Sequence, residues 1–193
     1  MASKKESTFI TMVLTLFIVT FVASAALGYL YELTKGPIAA SKLAKLNSAI
    51  TQVVPEFDTI PQSQVYKKGI DGDTLVFYPA MKNDELVGTA VSTFTNKGFS
   101  GNIKLMVGFL PDGTIYNISV LEHKETPGLG DKMQKNKSEW SVQFNGKNPA
   151  NFRLKVSKDK GDVDAITAST ISSRAFCDAV DRAYNAYMEG GQK

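Results

Sequence analysis

A chain of 193 residues, 43% hydrophobic and 21% charged, has the composition of one globular domain with room for an appendage, with neither a repeat nor a disordered tract. A net charge of +3 without any Lys/Arg cluster interleaved with aromatics argues against nucleic acid as a partner. One cysteine, Cys177, and one histidine, His123, exclude an intramolecular disulfide, a zinc site built on histidine and thiolate, and an iron–sulfur ligand set within the chain.

In chain order, Phe9 to Tyr31 is 23 residues without a charge. As a helix rising 1.5 Å per residue it reaches about 34 Å, enough to cross a bilayer, so the membrane is an expected partner. Lys4 and Lys5 ahead of the run, and the small-x-small triplet Ala23-Ser24-Ala25, also fit a cleaved signal peptide. The uncharged run continues past that triplet to Tyr29 and Tyr31, which suit a membrane interface, and an anchor is the expectation. Charge leaves its orientation open, because Lys35, Lys42 and Lys45 follow the span as Lys4 and Lys5 precede it. Gly36-Pro37 predicts a break in the helix or its exit from the bilayer, and Ile38 to Val54 reads as an amphipathic helix carrying Leu43, Leu46, Ile50 and Val53, ended by Pro55. Residues 55–72 offer only a short candidate strand at Val65 to Lys67.

From Thr74 the period is that of strands. Thr74 to Met81, Glu85 to Thr95, Asn102 to Leu110 and Thr114 to Leu121 are separated by the turns Lys82-Asn83-Asp84, Asn96-Lys97-Gly98 and Pro111-Asp112-Gly113, which predicts an antiparallel meander. The Gly- and Pro-rich stretch His123 to Gly130 is too poor in apolar residues for a strand and is placed to be a functional loop. Asp131 to Trp140 is expected as a short helix, and Phe152 to Val156 and Val163 to Ile166 as short strands. Then four hydroxyls, Ser169, Thr170, Ser172 and Ser173, crowd five positions. Behind them Ala175, Phe176, Ala179, Val180, Ala183, Tyr184 and Tyr187 recur at helical spacing. The hydroxyls therefore stand at a helix N-terminus, where unpaired N–H groups and the helix dipole welcome a phosphate. Capping alone needs one hydroxyl. Cys177 falls on the inward side of this helix as a small core residue without chemistry. The expected fold class is α+β: an antiparallel sheet flanked by helices, behind one N-terminal transmembrane helix.

Asp164-x-x-Thr167-Ala168-Ser169-Thr170 resembles the flavinylation motif Asp-x-x-Ser/Thr-Gly/Ala-Ala/Ser-Thr of the RnfG family of the Rnf electron-transport complex, a motif shared with the homologous flavin-bearing component of the sodium-translocating NADH:quinone oxidoreductase. Glu125-Thr126-Pro127-Gly128-Leu129-Gly130 is similar to a loop found beside the flavin in the same family, and Gly101 to Ile115 resembles the core of its FMN-binding domain. Ala168-Ser169 departs from the commoner Gly-Ala while staying small.

The resemblance implies FMN joined covalently through its phosphate to the Thr170 side chain, with Ser169, Ala168, Thr167 and Asp164 completing the motif. It also implies Glu125, Thr126, Gly128, Leu129 and Gly130 beside the flavin, Leu129 against the ring. Lys158, just ahead of the motif, is a candidate to offset phosphate charge. A separate flavin transferase, using FAD and a divalent metal, would make the bond. Implied partners are the other membrane subunits of an Rnf complex, which couples electron flow between ferredoxin and NAD to sodium or proton movement. This chain would relay electrons and carry no catalytic site of its own. Gly128-x-Gly130 lacks the third glycine and does not open a helix after a strand, so no direct NAD binding is expected. The family layout implies residues 1–8 in the cytoplasm, a span at 9–31, a connector over 32–72 and an FMN-binding domain over 73–193 on the extracytoplasmic side of the inner membrane. Three other readings stay open: the quinone-reductase homologue, a membrane-anchored FMN-binding sensor, and a purely structural anchor with an unmodified Thr170.

Overall fold

The computed structural model describes residues 8–70 and 73–190 and divides into two units, one ending at Ala44 and one beginning at Lys45. Most of the N-terminal segment 1–8, with Lys4 and Lys5, lies outside the described residues, as do residues 71 and 72 at the end of the connector. Helix α1 (Phe9–Val53) opens on a stretch long and apolar enough to cross a membrane, with none of it buried. Its threonines suit such a stretch, because Thr11, Thr15, Thr20 and Thr34 return their hydroxyl protons to carbonyls three or four residues back.

The break read at Gly36-Pro37 does not occur, and α1 runs through Pro37. An interior proline removes one backbone bond and crowds the carbonyl four residues back, a cost of about 3 kcal/mol. The run of helix formers behind it, Ala39, Ala40, Lys42, Leu43, Ala44 and Leu46, restores propagation at once.

In the second unit five strands, β1 (Tyr66–Ile70), β2 (Asp73–Lys82), β3 (Glu85–Gly98), β4 (Gly101–Phe109) and β5 (Ile115–Glu122), pair antiparallel in sequence order. This is the meander the turn triplets indicate. The candidate strand at 65–67 is longer than read, because Tyr66 to Ile70 pairs residue by residue with Phe77 back to Asp73.

Period-two alternation sends Leu75, Phe77, Val91, Leu105, Val107 and Phe109 to one face and Ala80, Ala90 and Met106 to the other. The first face packs against helix α2 (Thr170–Gly190) through Phe176, Ala179, Val180 and Ala183, and Thr93 Oγ1 bonds the Ala179 carbonyl at 2.9 Å. The second face is covered by Ala49, Ile50 and Val53 from the end of α1. Burying a side chain of this size stabilises by about 1.5–3 kcal/mol, so two covered faces hold the sheet.

Between β5 and α2 the chain departs from expectation. Asp131 to Trp140 is not a helix: tight 3-10 turns occupy Gly130–Met133 and Trp140–Phe144. The strands read at 152–156 and 163–166 shrink to one parallel bridge, Val156 to Val163. The apolar residues there serve as single plugs: Met133, Phe144, Leu154, Val156, Val163 and Ile166 reach the α2-side core one at a time from tight turns, the lone bridge and irregular chain. Plugs need no periodicity, so the sequence carries none.

Cys177 is 2% exposed, and burial pushes its thiol up to about 12. A raised native value means that the thiol form stabilises the fold fully below its ordinary value of 9 and that this contribution fades as pH climbs toward 12. The full chain at pH 8 should therefore leave Cys177 unreacted with a thiol-specific disulfide reagent until denaturant is added. Stoichiometric labelling of the native chain within minutes would contradict this packing.

Candidate functional site

Where the β3–β4 turn, the 123–130 loop and the start of α2 meet, Phe99, Glu125, Thr126, Leu129, Gly130 and residues 168–172 line a cavity of about 330 Å³. The two stretches singled out in the sequence, some 40 residues apart, thus face one another. One carboxylate joins them. Glu125 is 4% exposed and accepts hydrogen bonds from Ser100 N at 2.8 Å, Phe99 N at 3.3 Å and the Ser172 hydroxyl. Its own N–H donates to His123 Nδ1 at 3.1 Å.

Space for that carboxylate comes from missing side chains. A Cβ on Gly130 would stand 2.6 Å from Ser172 Oγ and 2.7 Å from Glu125 Cβ, and one on Gly98 would stand 2.9 Å from Glu125 Oε1. Glu125→Ala removes the acceptor for three donors at once and should cost about 3 kcal/mol in urea unfolding of the full chain. Glu125→Gln, which keeps one acceptor, should cost less, and equal losses in the two variants would contradict the clamp.

The hydroxyls sort themselves by partner. Ser169 Oγ donates to Ser172 Oγ at 2.8 Å, and Ser172 Oγ donates to Glu125. Ser173 Oγ donates to the Ser169 carbonyl at 2.9 Å and accepts Ile166 N at 2.9 Å. All three serines are buried and committed. Thr170, the first residue of α2, is half-buried on the cavity wall, and among the described residues its hydroxyl makes no hydrogen bond. The Thr167 hydroxyl also makes none among the described residues, but Thr167 is exposed and does not line the cavity. Among the described residues two free hydroxyls therefore line the cavity, those of Thr126 and Thr170, and of these Thr170 stands at the positive end of a helix of 21 residues.

Three large apolar side chains stand exposed around it: Phe99 at 67%, Leu129 at 39% and Ile171 at 48%. Apolar surface left in water around a concave polar floor marks a site that offers a ligand both apolar and polar contacts. Phe99 and Ile171 were missed by the sequence reading. An aromatic at a hairpin tip, where polar turn residues are the rule, is the signal that could have found Phe99.

Not every expected residue is gathered here. Gly128 is exposed with φ +78° and shapes the loop without lining the cavity. Asp164 is exposed, its Oδ1 accepting from Ser157 Oγ at 3.3 Å and its carbonyl from Trp140 Nε1 at 2.5 Å. Lys158 is exposed in the turn Ser157–Asp159, also off the wall.

Ala168 has φ +58°, a left-handed backbone that costs a residue with a Cβ about 1–2 kcal/mol. Ala168→Gly should relieve that strain and raise urea stability by about 1 kcal/mol. A loss of stability in that variant would contradict the strained backbone.

Residues 98–185 match the model of the FMN-binding domain family. The chain is 35% identical to the RnfG component of the ion-translocating oxidoreductase complex of Shewanella amazonensis, covering 83% of this chain and 80% of that one. It is 36% identical to the same component from Aliivibrio fischeri strain ES114 over 93% and 90% of the two chains. To the Erwinia tasmaniensis counterpart it is 45% identical over 54% of this chain and 51% of that one.

Proposed function

The chain belongs to the RnfG family of ion-translocating oxidoreductase complexes, and on that premise we propose that its cavity holds FMN through a phosphoester to Thr170. Membership and the apolar anchor helix make it a membrane-anchored FMN electron-transfer subunit of such a complex. The observation that supports the attachment point is the sorting of hydroxyls: three serines are tied up inside the fold, while Thr170 presents a free one to the cavity.

The residues present fit the group. Small Ala168 and Ser169 leave room for a phosphate at the first turn of α2, where free N–H groups favour an anion. Phe99, Leu129 and Ile171 offer apolar faces to a flat ring, and Thr126 and Gly130 close the wall. Glu125 ties both loops to α2 and so fixes the distance between ring-facing and phosphate-facing residues. Bound there, FMN supplies one- and two-electron redox chemistry, and the protein contributes position and surroundings.

Attachment requires a separate flavin transferase acting on FAD. The Thr170 oxygen loses its proton and bonds to the phosphorus of the FMN half as the diphosphate link breaks, with AMP leaving. Exposed Asp164 and Thr167 are placed for that enzyme to read. The complex is of the Rnf type, passing electrons between ferredoxin and NAD. Residues 1–8 are cytoplasmic, 9–31 span the inner membrane, 32–72 connect and 73–193 form the FMN-binding domain on the extracytoplasmic side.

The test is a denaturing gel of the full chain produced with and without a flavin transferase. Fluorescence that survives denaturation, and appears only with the transferase, is expected. Flavin that washes away under denaturant would overturn the covalent link.

A further inference from the structure

Resting on the Thr170 attachment, one question of charge remains. A phosphodiester on Thr170 carries a negative charge, and the Glu125 carboxyl group, held by two N–H groups and a hydroxyl, lines the same cavity. None of the residues lining it is lysine or arginine. An anion in a partly desolvated pocket is raised in energy unless a cation answers it. The dipole of α2 supplies part of the compensation.

The cation on the right helix face is Arg174. It stands four residues after Thr170 and therefore on the same side of α2, and helical side chains lean toward the N-terminus, over the turn that holds Thr170. Arg174 lines a second cavity of about 520 Å³, along with Leu154, Val156, Cys177 and Asp178, and the two cavities share one wall residue, Ile171. At rest its guanidinium is engaged: Nε and Nη2 each lie 2.7 Å from an oxygen of Asp159. Both side chains are substantially exposed, at 50% and 37%, so the pair is a weak one that a better partner can displace. A phosphodiester offers the same two-oxygen geometry to the planar fork.

We propose that Arg174 is the phosphate-holding residue of the flavinylated protein, exchanging the Asp159 carboxylate for the phosphodiester on Thr170. In the unmodified chain Asp159 keeps the guanidinium paired beside the site. Modification then moves the arginine by one side-chain rearrangement, with no change in backbone.

The test is phosphorus-31 NMR of the full chain in detergent after production with a flavin transferase, each sample's denatured state serving as its own reference. In wild type the native resonance should be displaced from that reference. Arg174→Gln should lose most of the displacement, and Arg174→Lys, a point charge without the fork, should keep part of it. Asp159→Asn breaks the same ion pair yet should leave the resonance at its wild-type position, which separates phosphate contact from mere loss of the pair. Circular dichroism checks that each variant is folded. A resonance in Arg174→Gln that coincides with wild type, or a wild-type resonance at its denatured position, overturns the role of Arg174 while leaving the attachment intact. Absence of any protein-bound phosphorus signal in wild type overturns both.

Discussion

Thr170→Ala, produced as a full chain with a flavin transferase, is expected to lose the whole of its gel fluorescence after denaturation, while the amount of protein in the membrane stays near wild type. The loss is complete because no other hydroxyl is both free and at the N-terminus of α2: Thr126 is free on the same wall but sits in the 123–130 loop. Ser169, Ser172 and Ser173 are buried with their hydroxyls committed, and Thr167 is off the cavity wall. The protein should persist because Thr170 is half-buried and among the described residues its hydroxyl bonds to nothing. Thr170→Ser, which restores an oxygen at the same position, should regain fluorescence. A labelled Thr170→Ala chain would place the bond elsewhere.

The largest loss of stability should come from a position remote from the cavity. A Cβ on Gly108 in β4 would lie 1.5 Å from the carbonyl oxygen of Val53 and 2.4 Å from its carbonyl carbon. Those are backbone atoms at the end of α1, where Val53 is fully buried against the sheet with Ile50 and Ala49. A side-chain tip could turn aside, but a backbone carbonyl cannot without lifting the final turns of α1 off the sheet. Gly108→Ala should therefore cost about 4 kcal/mol or more, at the upper end of what single substitutions do. Unfolding by urea, followed by circular dichroism of the full chain in detergent, measures it. A cost within about 1 kcal/mol would show that the end of α1 does not rest on β4 as described.

The meander was legible because each strand pair meets through a short turn with its own chemistry, such as Pro111-Asp112-Gly113, where Thr114 N and Oγ1 both bond to Asp112. Helix α2 was legible from its spacing of small and aromatic residues. The stretch between β5 and α2 was not, since its apolar residues enter the core one at a time from short turns and irregular chain and so leave no period to read. Pro37 misled in the opposite direction: it looks like punctuation, and the flanking helix formers overrule it. At the site, the motif stretches could be placed, but their closeness could not. The Glu125 bridge spans 47 positions to Ser172, and nothing local in either segment announces a partner. Which of several crowded hydroxyls is free is likewise a fact of three dimensions, set by who bonds to whom.

Trypsin should release residues 161–174 of the mature chain as one peptide, cut after Lys160 and Arg174, with Thr167, Ser169, Thr170, Ser172 and Ser173 all inside it. Tandem mass spectrometry of that peptide, from chain matured by a flavin transferase, reads each hydroxyl separately. The added mass of FMN less water should first appear in the fragment that includes Thr170 and be missing from the fragment that stops at Ser169. A bare Thr170, or the same mass carried by Ser169 or Thr167, would contradict a flavin held at the first residue of α2.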